Sequence, residues 1–328
     1  MTRLKLLLNP NDHTSFHQSL LQRLVEPYFE LVNWQEDVHY DCKDHVLVVN
    51  SIRDSTNQRC WYQTYLQDGY KIIIDNLWES PQVMYEFPDS IENCFVLQNQ
   101  NWFWYNEAEL IRNCVTRTSY NYHPARHYQK LALTNQSWHY QKLALLPMRQ
   151  RRPHRDALLV YLSEILDQMV WSYTSHGRNL PNDSIENHDL NFQRHFNPEW
   201  YDNTYFSIVA ETLTETPEIF VTEKTFKPMA FYHPFVVMAQ AGHLKYVRDI
   251  GFETFDNLFD EGYDNIDDCT ERLTALVATI KNFDPVPYDQ LTLQKLEHNH
   301  NRFYDRNLTE PRVINEIINP MIEYAQSR

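Results

Sequence analysis

Apolar residues in this chain fall into short continuous runs, separated by longer stretches of helical periodicity. KLLLN (5–9) reads as a strand closed by a Pro-Asn-Asp turn. The next apolar positions, Phe16, Leu20, Leu21, Leu24, Val25 and Phe29, repeat at helical spacing and predict one helix. HVLVVNS (45–51) is apolar without alternation, the signature of a strand covered on both faces. A helical segment around 60–66 follows, then the strands YKIIID (70–75) and CFVLQNQ (94–100). Strands alternating with helices predict a parallel sheet flanked by helices.

Residues 112–138 are less regular, and HYQKLAL at 127–133 recurs at 139–145. Two copies are too few for a solenoid, so the repeat reads as a local duplication. A linker is expected at 120–140. A second α/β pattern then begins. KLALLPM (142–148) is a strand, and Pro153 opens a helix carrying Leu158, Leu162, Ile165, Leu166 and Met169. Residues 182–200 form a polar, aromatic surface connection. YFSIVA (205–210) is a strand, ETLTETPEIF a loop, TEKTFKPMAFY (222–232) a short helix, and PFVVMA (234–239) a strand. Helices are expected at 243–249, 267–283 and 311–324. The expected organisation is an α/β chain of two Rossmann-type lobes with a cleft between them. The lobes are 1–135 and 136–310, with 311–328 as a C-terminal helix packing back on the first.

Composition narrows the chemistry. The 328 residues are 42% hydrophobic, which is globular, and hold only 5 Gly. No G-x-G-x-x-G or Walker pattern occurs, which speaks against a dinucleotide fingerprint or P-loop. The net charge of −15 disfavours binding to duplex nucleic acid, although a local basic patch can still hold a compact anion. Five scattered cysteines without a C-x-x-C fit free thiols in a reducing compartment. The N-terminal apolar run is too short for a signal peptide and no stretch reaches membrane-span length, so a cytoplasmic protein is expected.

Ligands of open α/β sheets sit beyond the carboxyl ends of strands. MRQRRPHRD (148–156) places Arg149, Arg151, Arg152, His154 and Arg155 after one strand and at a helix start. Cations there are unfavourable against the helix dipole unless an anion joins them, and the pattern suits a diphosphate. The alternative is a solvated basic loop. Glu211 ends the strand YFSIVA, where a carboxylate can accept from sugar or ribose hydroxyls. In VTEK, Thr222 and Glu223 suit a helix cap, while Glu223 could also grip a diol and Lys224 a phosphate.

The segment YFSIVAETLTETPEIFVTEKTFKPMAFYHPFVVMA resembles the donor-binding motif of the alpha-1,3-fucosyltransferases. That motif has a strand ending in Phe-Glu-Asn, a loop, Tyr-x-Thr-Glu-Lys, a helix and a Pro-containing strand. The resemblance reaches back to Arg155 and forward to the acidic loop FDEGYD, covering about residues 143–285. It implies a GT-B fold and inverting, metal-independent transfer of a sugar from a nucleotide-diphosphate donor, GDP-linked fucose in that family, to a carbohydrate or other hydroxyl acceptor. By the same resemblance Arg155 and Lys224 contact the diphosphate, Glu223 the ribose and Glu211 the donor sugar. Ala210 and Thr212 flank Glu211 where the family has Phe and Asn, and Phe220 replaces its Tyr. These departures leave the donor open. The second lobe is thus the expected donor side and the first the acceptor side.

An inverting transferase needs a carboxylate to deprotonate the acceptor. Asp75 and Glu79, at the end of IIID, are the candidates, with Glu107 and Asp54 as other carboxylates of that lobe. Asp75-Asn76 equally suits a plain turn. Trp78 could stack on a sugar face or be a core aromatic. No H-E-x-x-H occurs, the histidines lack metal spacing, and Asp202, Asp260 and Asp264 form no manganese clamp, so neither metal nor cofactor is expected. Two other functions stay open: a non-catalytic nucleotide-sugar-binding module, and an enzyme that glycosylates nucleic-acid bases.

Overall fold

The computed structural model describes residues 4–8, 19–35, 38, 40–50, 65–77, 94–117, 142–180 and 198–327. The expected linker at 120–140, the first HYQKLAL copy, Trp78, Glu79 and Asp54 lie outside them. So do the start of the 60–66 helix and most of the 182–200 connection. The chain divides into two compact units, one of residues 1–109 with 305–328, the other of 110–304.

The first unit holds β1 (Leu4–Leu8), α1 (Ser19–Val25), β2 (Phe29–Asn33), β3 (His45–Asn50), β4 (Lys71–Asp75), β5 (Phe95–Leu97) and the first half of α2 (Trp102–Arg117), whose residues from Leu110 on belong to the second. Its sheet is parallel throughout, in the order β2-β1-β3-β4-β5. Leu6, Val48, Ile72, Ile73 and Ile74 are sealed from solvent, as an unbroken apolar run requires when both faces are covered. The single helix expected through Phe29 is instead a helix ending at Val25 followed by a strand. Pro27 has no N–H to continue the helical ladder, and FELVN is free to pair with β1.

The second unit holds β6 (Lys142–Met148), α3 (Pro153–Tyr161), β7 (Met169–Tyr173), α4 (Pro198–Asp202), β8 (Thr204–Ala210), α5 (Glu223–Ala230), β9 (Phe235–Met238), α6 (His243–Asp249), α7 (Cys269–Lys281) and α8 (Gln290–Tyr304). Its sheet is also parallel, in the order β7-β6-β8-β9. β8 is buried at every position. The α/β alternation is therefore present twice, as two parallel sheets with helices around them. Met169, expected on the α3 face, begins β7 instead. The helix stops at Tyr161, a 3-10 segment spans Ser163–Gln168, and MVWSY pairs with β6.

The expected C-terminal helix is present and longer than expected, continuous in helical backbone from Arg306 to Gln326 through one π-helical turn. α9 (Arg306–Val313) carries Pro311 inside it, a π-helical turn covers Ile314–Ile318, and α10 (Asn319–Gln326) follows. The Lys71 ammonium, on β4, meets the last carbonyls of α10, at 3.0 Å from Tyr324 O and 2.8 Å from Ala325 O, and also Ser327 O. Those carbonyls have no helical partner, and a cation there also complements the dipole. Ile72 N donates to the Tyr324 hydroxyl at 3.1 Å. Lys71→Met should therefore destabilise the first unit by about 1.5–3 kcal/mol, the range for hydrogen bonds to a charged group. Urea unfolding followed by tryptophan fluorescence checks this.

Candidate functional site

In the second unit the chain leaves β6 toward β7 and leaves β8 toward β9, on opposite sides of the sheet. The carboxyl ends of β6 and β8 are therefore neighbours from which connections diverge. That is the topological switch point, where open α/β sheets leave a crevice for ligands. α3 packs with α7, and α5 with α8. α3 begins a short loop after β6, and α5 begins after the 211–222 loop that leaves β8. Arg152 is the N-cap of α3 in extended conformation and makes no side-chain capping bond, and Pro153 opens the helix. Thr222 caps α5, its hydroxyl accepting from Lys224 N.

Glu211, the residue after β8, joins the two. Its side chain is 0% exposed. Oε1 accepts from Thr222 N at 3.0 Å and from Thr225 Oγ1 at 2.7 Å. Oε2 accepts from Thr222 Oγ1 at 2.6 Å and from Thr212 N at 3.2 Å. A buried carboxylate is tolerable only when its lone pairs are met in this way. The Glu211 carbonyl takes two more bonds, from His154 Nε2 at 2.9 Å and Arg155 Nη2 at 3.1 Å.

Arg155 is 3% exposed and spends its guanidinium on main-chain carbonyls: Gln150 O, Ala210 O and Glu211 O. Its Nε has no hydrogen-bond partner. Burial pushes its pKa below the ordinary value, opposed by the charge of Glu211. Arg149 and Arg152 sit on the same loop, half-buried. Ser175 N donates to Arg149 O at 2.9 Å, and Arg152 N to the Tyr173 hydroxyl at 3.3 Å. Arg151 is exposed and paired with Asp156 at 2.8 Å.

Lys224 Nζ lies 2.9 Å from Thr222 Oγ1, 3.0 Å from Glu223 Oε1 and 3.3 Å from Thr212 Oγ1. Burial opposes the charge on Glu223, but Lys224 and Lys227 outweigh it and hold the carboxyl below its usual range. Arg155, Glu211, Thr222, Glu223 and Lys224, residues singled out in the sequence, thus form one hydrogen-bonded chain across the switch point. Arg149 and Arg152 flank it.

His154, part of the cluster read from the sequence, is buried. Several other residues of this region carried no clear sequence signal. Thr225 bridges Glu211 to His243 Nε2 at 3.1 Å. Arg272, 2% exposed, donates to Ala239 O, Ile266 O, Asp267 O and Thr214 O. Gln240 Nε2 reaches Thr216 Oγ1 at 2.7 Å and Glu218 O at 3.1 Å. Together they pin the 211–222 loop to the end of β9. Arg272 had a readable trace: it shares the apolar stripe of α7 with Leu276 and Ile280 at four-residue spacing. In the acidic loop Asp264 is buried and accepts from Leu244 N at 2.9 Å and Lys245 N at 3.1 Å at the start of α6.

In the first unit, Asp75 closes β4 and is 1% exposed, with Oδ1 accepting from Leu77 N at 3.3 Å. Asn76, beside it, is fully buried, and neither side-chain amide atom has a hydrogen-bond partner. Glu107 is buried on α2. Trp78 and Glu79 lie outside the described residues. Among the described residues, no group of three or more His, Cys, Asp and Glu is arranged to hold a metal ion, and no helix is long and apolar enough to cross a membrane.

Burial, reinforced by Arg155 and Arg152, pushes the His154 imidazole down to about 4. Its folded pKa lies below the unfolded one, so the neutral ring's contribution is present above about pH 6.5 and is lost as pH falls toward 4. Between pH 7 and 4.5 this linkage should remove up to about 3 kcal/mol of stability. His154→Gln can keep a donor to Glu211 O and should flatten that slope. His243, also held low by burial, supplies part of what remains. Urea midpoints measured across this pH range check it.

No family model matches the chain, and no curated protein matches it. Solved structures similar to it include an alpha1,3-fucosyltransferase, and alpha1,3-fucosyltransferase structures with GDP-fucose and with GDP. Each is 11% identical, with TM-scores of 0.45, 0.40 and 0.41. The matches cover 94%, 93% and 94% of this chain and 92%, 91% and 92% of the other. At that identity and those scores the likeness assigns this chain neither activity nor ligand.

Proposed function

We propose that the chain is a glycosyltransferase that holds a nucleotide-diphosphate sugar at the β6/β8 switch point of its second unit. One observation carries this reading: two helix N-termini, each after a neighbouring parallel strand, are furnished with Arg149 and Arg152 on one side, their loop held by Arg155 through Gln150 O, and with Thr222 and Lys224 on the other. Backbone N–H groups, helix dipoles and guanidinium forks together suit a diphosphate. In a transfer reaction the same groups stabilise negative charge as it develops on the leaving diphosphate, so the reaction needs no metal. The VTEK resemblance supports a nucleoside diphosphate as the anion. Glu223 beside Lys224 is the residue for a ribose diol, and fucose on GDP is the first donor to try.

In this reading transfer is inverting, with the acceptor hydroxyl deprotonated by Asp75 or Glu79 and Trp78 as the acceptor platform. The deep burial of Asp75 favours a second reading, a nucleotide-sugar-binding module without turnover. Release of free nucleotide from GDP-, UDP- and ADP-sugars, with varied acceptors, separates the two.

Lys224→Ala should weaken the cognate nucleoside diphosphate by about 1.5–3 kcal/mol, the range for a charge-assisted bond, with little change in the unfolding midpoint. Calorimetry checks this, and unchanged affinity removes Lys224 from the site. Turnover should persist in EDTA and fall roughly 10²–10⁴-fold in Asp75→Asn with nucleotide affinity retained, the usual share of a general base. Loss in chelator restored by manganese, or near-normal turnover in the variant, would correct the mechanism at that point.

A further inference from the structure

The Thr222 hydroxyl has one proton, and it is committed. Thr222 Oγ1 donates to Glu211 Oε2 at 2.6 Å, so its lone pairs only accept, from Lys224 N at 3.4 Å and from the Lys224 ammonium at 2.9 Å. Both Glu211 oxygens are already met, two donors on each, and the side chain is 0% exposed. A ligand hydroxyl could reach Glu211 only by displacing a donor of the chain itself. Reversing the Thr222 hydroxyl would aim its proton at an ammonium, and the carboxylate prevents this. We propose that Glu211 is a positioning residue: acting through Thr222, it orients Lys224 toward the bound anion and does not itself touch the donor.

The inference rests on Lys224 as the phosphate contact of the proposed function, in which the anion displaces Thr212 Oγ1, the longest of the three acceptors around the ammonium at 3.3 Å. It differs from the role the family resemblance implies for Glu211, contact with the donor sugar, and the two make opposite demands. A sugar contact would affect the nucleotide sugar alone. A positioning role acts on the diphosphate, and therefore equally on the bare nucleotide and the nucleotide sugar. It also acts only while Lys224 is present.

A double-variant cycle reads the difference. Thr222→Val, Thr222→Ser, Lys224→Met and the Thr222→Val/Lys224→Met pair are titrated calorimetrically with GDP, UDP and ADP, the matching nucleotide sugars, and pyrophosphate as a base-free probe. Thr222→Val should weaken the nucleoside diphosphate that the wild type binds by about tenfold, as loss of one charge-assisted link implies, and its nucleotide sugar by the same factor. Thr222→Ser should recover most of that loss. In the Lys224→Met background Thr222→Val should cost less than about twofold. Glu211→Gln, which turns an amide N–H toward chain donors, should follow Thr222→Val. Thermal unfolding of each ligand-free variant is read alongside, and Thr222→Ala carries the same comparison where the valine variant does not fold. Additive losses, or a loss confined to the nucleotide sugar, overturn the inference alone. A wild-type protein that binds none of these probes overturns the proposed function and the inference with it.

Discussion

A carboxylate carried into a protein interior loses its hydration, and unless every lone pair is met again the loss amounts to several kcal/mol. Glu211 recovers those bonds from Thr212 N, Thr222 N, Thr222 Oγ1 and Thr225 Oγ1. They come from both ends of the loop that joins β8 to α5 and from the first turn of that helix. The loop must close, and α5 must begin where it does, for the charge to be tolerated. The same residue's carbonyl receives His154 and Arg155 from α3. One buried acid thereby ties together the two helix starts that form the candidate anion site.

Two buried guanidiniums extend this principle. Arg155 spans from the β6 loop to the end of β8, and Arg272 spans from α7 to Thr214 and the end of β9. Both donate mainly to backbone carbonyls. A planar fork can meet several carbonyls at fixed angles, which an ammonium on a flexible stem does poorly. Strand-end loops are ordinarily the mobile part of an α/β unit. Here they are stitched by charged hydrogen bonds, so cations and N–H groups can face an anion with little reorganisation.

The chain carries a net charge of −15, yet this corner of the second unit gathers Arg149, Arg151, Arg152, Arg155 and Lys224. Long-range repulsion of polyanions and short-range capture of a small one are compatible, because screening limits the first and hydrogen-bond geometry dominates the second. A compact diphosphate fits that contrast better than a nucleic-acid strand does.

Much of this was legible in the sequence, because it is local. Continuous apolar runs mark strands covered on both faces, and their alternation with amphipathic segments requires parallel sheets. Thr222 before Glu-Lys marks a helix start, and arginines crowded at the start of α3 are unfavourable without an anion. What stayed illegible depends on residues far apart in the chain. MVWSY and FELVN are strands because β6 and β1 offer free edges to pair with, which overrides their place in a helical period. Strand order decided that the ends of β6 and β8 adjoin, and that β4, with Asp75, lies one strand beyond the β1/β3 switch point of its own sheet. Above all, no local pattern could say which polar side chains face a ligand and which face the chain. Glu211 reads in sequence as a strand-end carboxylate open to a sugar. Only when the 211–222 loop closes and brings Thr222 and Thr225 back to it does it become an acid whose oxygens are already met, while His154 arrives from 57 residues away on its main-chain carbonyl. Periodicity and capping are short-range physics written residue by residue, whereas desolvation and hydrogen-bond satisfaction are settled by whatever the fold brings alongside.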